Sequence, residues 1–213
     1  MLIVSLSGGS GSGKTTLAEY IASKFKQGIV SVIPIDAYYK DHSHLSADAK
    51  ISYNFDHPDA IDFDLLISDL QKLKMSIPID RPIYSFLTCA REKQHIKVIP
   101  PEILILEGLM ALTHEKLRMV ADVKIFLEVS ETIRLERTVN RDVTERGRSR
   151  KMVEERFYET VQPMHEEFIE PFKHNANFII DGNNINIESI AKSLLQKIGK
   201  HLHKPNLHRS QLT

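Results

Sequence analysis

Residues 8–15 read Gly-Gly-Ser-Gly-Ser-Gly-Lys-Thr, which fits the spacing G-x-x-x-x-G-K-[ST] of a phosphate-binding loop. Each residue type has a use in that chemistry. Glycines let the backbone turn tightly and bring successive N–H groups to phosphate oxygens. Lys14 supplies a point charge for the outer phosphates of a nucleoside triphosphate, and the Thr15 hydroxyl is a ligand for Mg²⁺. An apolar run over 2–6 precedes the loop and a helical pattern begins near Lys14, so a helix aims its positive end at the same anion. A flexible Gly/Ser turn would need neither the lysine and threonine nor both flanking elements.

Two carboxylates stand where other apolar runs end. Asp36 follows residues 31–35, and Glu107 follows 103–106 and precedes Gly108. In open α/β sheets, ligands collect at the carboxyl ends of the strands. A carboxylate there takes a proton from an attacking hydroxyl, or binds Mg²⁺ directly or through water. Capping a turn is the structural alternative for both. Arg134, Arg137 and Arg141 have the spacing of one helix face, which alone describes a solvated charged face. Residues 141–151 carry five basic residues and Gly147, and read as a mobile, Arg-rich lid. Arginines on a hinged segment suit neutralisation of charge on a transferring phosphoryl group. Tyr84 and Phe86 alternate onto one side of a strand, as for stacking on a planar base or for packing in a core.

The elements that must position these residues follow from periodicity. Residues 2–6, 31–35, 103–106, 123–129 and 178–180 are Ile-, Val- and Leu-rich runs with little alternation, as in parallel strands covered on both faces. Helical patterns over 15–25, 63–73, 131–145, 151–172 and 187–198 lie between or beyond them, with Asp62 and Ser130 placed as N-caps. The alternation predicts a three-layer α/β domain with right-handed crossovers, one domain over 1–213. Residues 77–99 interrupt the rhythm with two short strands, near 79–86 and 95–99, and predict a β-hairpin arm. The tail over 201–213 is polar, contains Pro205 and is expected to fray, with His201 and His203 solvated rather than metal-bound.

Composition removes several classes. The chain has 213 residues, enough for a sizeable core. Its 28 basic and 28 acidic residues cancel, so no electrostatic argument favours nucleic acid or a membrane surface. No apolar run reaches the length of a membrane span. The single cysteine, Cys89, excludes an intrachain disulfide, and the first strand leaves no room for a signal peptide. A cytoplasmic enzyme is expected.

Seven segments together resemble the uridine/cytidine kinase family, bacterial uridine kinases most of all. They are residues 8–16, 35–40, 54–60 (Asn-Phe-Asp-His-Pro-Asp-Ala), 82–91, 106–109, 141–148 (Arg-Asp-Val-Thr-Glu-Arg-Gly-Arg) and 168–171, in family order. The resemblance implies a P-loop NTPase-type kinase fold that phosphorylates the 5′-hydroxyl of uridine or cytidine from ATP or GTP, with Mg²⁺. Gly8, Gly9, Ser10, Gly11, Ser12, Gly13, Lys14, Thr15 and Thr16 would hold the phosphates, joined by Arg141. Asp36 would be the general base, beside Lys14. Thr15 and Glu107 would hold the metal, with Asp36 nearby. Asp56 would grip the ribose hydroxyls, Tyr38, Tyr84 and Phe86 would line the nucleoside site, and Arg148 would meet phosphates or substrate. The resemblance also implies a homo-oligomer, commonly a tetramer, and feedback inhibition by CTP or UTP.

Two positions depart from the family pattern. Cys89 stands where a base-contacting histidine is usual, and Thr138 where a substrate-side arginine is frequent. Both concern the nucleoside, so the base is open while phosphoryl transfer is untouched. A P-loop kinase acting on another small alcohol, or a nucleotide-binding regulator without turnover, are the alternatives. Intact Lys14, Asp36 and Glu107 argue against the regulator.

Overall fold

In a computed structural model of the chain, residues 1–46, 49–50, 53–183 and 186–202 are described. Five parallel strands form the central sheet: β1 (Leu2–Gly8), β2 (Val30–Pro34), β5 (Ile103–Glu107), β6 (Val123–Glu128) and β7 (Phe178–Asp181). Their order is β2-β5-β1-β6-β7, so the P-loop strand β1 lies in the middle. Register does the positioning. Leu6 pairs with Glu107, and Glu107 pairs with Pro34 on its other side. The loop after β1, the end of β5 and the turn after β2 therefore open at one edge of the sheet.

Helices cover both faces, as apolar side chains on both sides of each strand require. One core layer sets Ile3, Ile33, Leu104 and Leu106 against Leu66, Leu70 and Leu73 of α2 (Phe63–Lys74). The other sets Val4, Leu6, Ile105 and Ile125 against Leu17 and Ile21 of α1 (Lys14–Ser23) and Leu194 of the C-terminal helix α7 (Ile187–Leu202). Buried serines stitch β1 to the loop after β5: Ser5 Oγ donates to the Ala111 carbonyl at 3.2 Å and Ser7 Oγ to that of Leu109 at 2.7 Å. This three-layer α/β architecture is the expected one.

The arm is an antiparallel hairpin of β3 (Ile79–Ser85) and β4 (Ala90–Val98). β4 begins five residues earlier than the periodicity suggests, because Arg91, Glu92, Lys93 and Gln94 hide a strand whose side chains are largely exposed. Asp62 caps α2 as expected, accepting from the Leu65 N–H at 3.1 Å. Ser130 occupies the N-cap of α4 (Glu131–Arg146) but makes no side-chain cap bond. A short α3 (Glu115–Val120) has no clear sequence signal.

The expected helix over 151–172 is broken. It consists of α5 (Arg150–Arg156), a π-helical turn (Phe157–Val161), α6 (Gln162–Phe168) and a 3₁₀ turn (Glu170–Asn175). Pro163 lacks the N–H that would bond Glu159, and its ring crowds that carbonyl, so the ladder widens and the Gln162 N–H reaches the Phe157 carbonyl instead. The basic run 141–151, which reads as a lid, covers the end of α4 (141–146), three connecting residues (147–149) and the start of α5. The frayed-tail expectation for 203–213, including His203, lies outside the described residues; 201–202 end α7.

Candidate active site

The P-loop is strapped by its own lysine. Lys14 Nζ donates to the Gly9 carbonyl at 2.9 Å and lies 3.5 Å from Ser12 Oγ, and burial lowers the Lys14 pKa. Gly11 and Gly13 have φ of 76° and 92°, left-handed values that favour glycine. The loop opens on a cleft of about 420 Å³. Ser10, Gly11, Gly13, Lys14, Thr15 and Thr16 line it, whereas Gly8, Gly9 and Ser12 are buried and do not.

Strand register brings the two carboxylates to this loop. Asp36 sits on a 3₁₀ turn (Ile35–Tyr38) directly after β2 and lines the cleft. Glu107 ends β5, is 4% exposed, and accepts from Thr15 Oγ1 at 3.1 Å. Burial, then the nearby Asp36 charge, push the Glu107 pKa up to about 7. Burial also raises that of Asp36, opposed first by Lys14. A threonine hydroxyl and two carboxylates beside a cationic loop form a hard-oxygen set suited to polyphosphate chemistry.

The far wall of the cleft is aromatic. Tyr84 and Phe86 of the arm share one side, 5.6 Å apart, with Tyr39 5.1 Å and 6.1 Å from them. Phe55 packs edge-on against Tyr39 at 5.7 Å. Arg91 fastens the arm here, donating from Nε to the Tyr39 carbonyl at 2.8 Å and from Nη2 to Asp62 at 3.0 Å. Tyr38 is not part of this wall. Its ring is fully buried and its hydroxyl donates to Asp69 at 3.1 Å, so the expectation that Tyr38 lines the site is corrected: Tyr39, not Tyr38, lines this cleft. The 3₁₀ turn ends at Tyr38, and Tyr39, the residue that follows it, lines the cleft. Cys89 lines the cleft at the hairpin turn, with φ 51°. Asp56, 6% exposed, is paired with Arg156 of α5 at 2.9 Å. Arg156 is a cleft residue that no sequence pattern indicates, because its partner lies 100 positions away.

A sequence profile described as the phosphoribulokinase/uridine kinase family matches residues 3–187. The chain belongs to that family. It is 40% identical over 213 residues to a uridine kinase of Brevibacillus brevis, covering 100% of this chain and 97% of the relative. It is 41% identical over 179 residues to a uridine kinase of Anoxybacillus flavithermus, covering 84% and 85%. A solved D-glycerate 3-kinase from Cryptococcus neoformans var. grubii superposes with a TM-score of 0.59 at 18% identity, covering 85% of this chain and 86% of that one. The last likeness bears on the fold, that of a P-loop kinase.

In this phosphoribulokinase/uridine kinase family member, the arginines of α4 turn inward rather than to solvent. The helix packs on the P-loop so closely that a Cβ on Gly11 would lie 2.3 Å from the Arg134 carbonyl. Arg137 donates to the Ser12 and Gly182 carbonyls at 3.2 and 3.1 Å. It borders a second, largely apolar pocket of about 190 Å³ with Thr16, Leu17, Ile187 and Ile190, beside the P-loop. Thr138 lines the main cleft, and its buried Oγ1 has no hydrogen-bond partner among the described residues. Arg134 is 2% exposed. Its guanidinium lies under Gly9, donates to Gln162 at 2.6 Å and sits 5.6 Å from the Phe157 ring centre. Helix α4 thus ties the P-loop to Phe157, which begins the π turn next to Arg156.

Behind Gly9 a shallow cavity of about 480 Å³ is bordered by Arg134 and His165. Burial, then the Arg134 charge, depress the His165 pKa from the ordinary 6.5 to about 4. The unfolded chain therefore binds the extra proton first, so His165 contributes stability above pH 6.5 that is lost as pH falls through 4. At about 1.4 kcal/mol per pKa unit, the loss is about 2 kcal/mol by pH 5. Urea unfolding of the wild type and His165→Gln should show their stability difference shrinking by about that much between pH 7 and pH 5. A pH-independent difference would mean that the histidine titrates normally in the fold.

Proposed function

We propose that this chain is a pyrimidine nucleoside kinase, transferring the γ-phosphoryl group of ATP or GTP to the 5′-hydroxyl of uridine or cytidine to give UMP or CMP. The observation that carries the reading is one cleft that sets Asp36 between a lysine-strapped P-loop and an aromatic wall holding buried Asp56. The P-loop N–H groups and Lys14 hold the donor's phosphates, and the pocket beside Arg137 takes its base. Asp56 and Arg156 meet the ribose hydroxyls, while Tyr39, Tyr84 and Phe86 stack on the base. Asp36 accepts the 5′-hydroxyl proton as oxygen attacks phosphorus, the bond from the γ-phosphorus to its bridging oxygen breaks, and the nucleoside diphosphate leaves. Arg141 and Arg148 stabilise the charge on the transferring group. The reading sets the enzyme in the cytoplasm, beside its donor.

Mg²⁺ fits the donor set. Among the described residues no three His, Cys, Asp or Glu side chains gather to cage a metal alone. Mg²⁺ needs no such cage, because it is bound by one or two carboxylates, water and the phosphates themselves. Thr15, Glu107 and Asp36 would hold it, and when bound it neutralises phosphate charge. ADP or GDP release with a panel of nucleosides, each with ATP and GTP, tests the function. Turnover confined to uridine and cytidine is expected. Turnover only with a non-nucleoside alcohol, or none with any acceptor, would overturn it.

Cys89 bears on the base. Uracil presents a carbonyl at its 4-position and cytosine an amino group; a histidine ring serves either, whereas a thiol is a weak donor and a weak acceptor. Cys89 Sγ lies 3.7 Å from the Phe86 carbonyl, so its weak donor is already turned inward. Looser base choice follows, with stacking retaining the pyrimidine preference. Cys89→His should raise kcat/KM for uridine, cytidine or both by up to about tenfold, one modest hydrogen bond. The left-handed backbone here is one that histidine tolerates better than most residues. Unchanged efficiencies in a folded variant would show that another group reads the base.

A further inference from the structure

Asp142 is 2% exposed, on the cleft side of α4. Its carboxylate takes three guanidinium groups: Arg141 Nε at 2.8 Å and Arg146 Nη1 at 3.3 Å on Oδ1, and Arg148 Nη1 at 2.8 Å on Oδ2. The Arg148 N–H also donates to the Asp142 carbonyl at 3.1 Å, drawing the chain back after Gly147, whose φ is 64°. Arg146 reaches across the cleft and lies over the Phe86 ring at 4.9 Å. All four side chains line the cleft that holds Lys14, Thr15 and Asp36. Burial alone would raise the Asp142 pKa, but Arg141, Arg146 and Arg148 overcome it and hold the carboxyl below its ordinary value.

Three guanidinium groups at the mouth of a phosphate site repel one another, and without a counter-charge they would spread into solvent. A mobile lid of that kind is what the basic run implies on its own. The buried carboxylate changes the outcome, because it gathers the arginines where the phosphates will be while leaving most of their donors unused. A guanidinium has five N–H donors, so each can keep Asp142 and still meet a phosphate oxygen.

We propose that Asp142 is a positioning residue for phosphoryl transfer: it holds Arg141, Arg146 and Arg148 in the cleft before any phosphate arrives and aims them at the phosphate oxygens. The inference rests on the kinase reading above. It has a consequence that a merely structural role lacks. A carboxylate near a polyphosphate opposes nucleotide binding through like charge, yet it orders the groups that stabilise the transition state. Removing its charge while keeping its shape should therefore move binding and turnover in different directions.

Asp142→Asn tests this. Titration with a non-hydrolysable ATP analogue should give a Kd equal to that of the wild type or as much as about fivefold tighter, while kcat falls about tenfold or more, in the range of lost transition-state stabilisers. Asp142→Glu, which restores the charge, should recover part of kcat. Unchanged kcat, or a kcat loss matched by equally weakened analogue binding, would overturn the proposal. A second measurement needs no variant. In the nucleotide-free wild type, the Arg141 Nε–H should give a slowly exchanging NMR signal that shifts when the analogue binds. Rapid exchange of the Arg141, Arg146 and Arg148 side-chain protons in the free protein would equally overturn it. If no nucleoside is phosphorylated, the proposed substrate falls, but the binding and NMR readouts still decide on Asp142.

Discussion

Asp36→Asn should lower turnover about 10²–10⁴-fold while ATP still binds, the range typical of losing a general base. Asparagine keeps the shape of aspartate and the 3₁₀ turn that presents it, but its amide is a very poor proton acceptor. The environment makes the effect large. Asp36 is partly buried, which raises its pKa, and Lys14 opposes that rise by favouring the charged form. The group is thus poised to accept a proton rather than held as an inert ion. In the proposed mechanism nucleotide affinity rests mainly on the P-loop N–H groups and Lys14, which the substitution leaves in place. The check is steady-state kinetics together with titration of a non-hydrolysable ATP analogue. Near wild-type turnover in folded Asp36→Asn would remove Asp36 from the mechanism, and a parallel loss of nucleotide affinity would assign it to binding instead.

Gly11→Ala should be about as damaging, for a reason of space rather than chemistry. An added Cβ would lie 2.3 Å from the Arg134 carbonyl and 2.7 Å from Thr138 Oγ1, and the backbone φ there is 76°. Neither neighbour can yield readily, since one is helix backbone and the other a buried side chain. The P-loop must lift off α4, and a displacement of about 1 Å in a catalytic framework can cost about 10²-fold in rate. Strain at a left-handed position adds about 1–3 kcal/mol of destabilisation. Gly28→Ala separates the two effects. Gly28 has φ 88° with nothing within 4 Å of an added Cβ, so it should lose stability while keeping wild-type kinetics. If Gly11→Ala and Gly28→Ala behave alike in kcat/KM, the packing of α4 on the P-loop does not set the loop's geometry.

The sequence by itself determined what short-range physics controls. Residues 8–15 run from the end of β1 through one short loop into α1, so their types mark a phosphate site within one stretch of chain. The parallel strands were legible because burial on both faces demands continuous apolar runs, and the Asp62 cap because its partner is three residues away. Asp36 and Glu107 were legible as strand-end carboxylates, since the open edge of a parallel sheet is where ligands collect.

Tertiary structure decided which long-range partners these residues meet. Only strand register puts Glu107 against Thr15 and beside Asp36. Only tertiary packing ties the Tyr38 hydroxyl to Asp69 in the core and leaves its neighbour Tyr39 lining the cleft. The arginines of α4 look like a solvated stripe in one dimension; packing against the P-loop turns them inward, and Asp142 then gathers the basic corner. Arg156, at the end of α5, meets Asp56 100 positions away, a pairing that only the packed layers bring about. Periodicity reports how a segment divides between core and solvent, but it carries no information about which distant charge will lie opposite once the layers close.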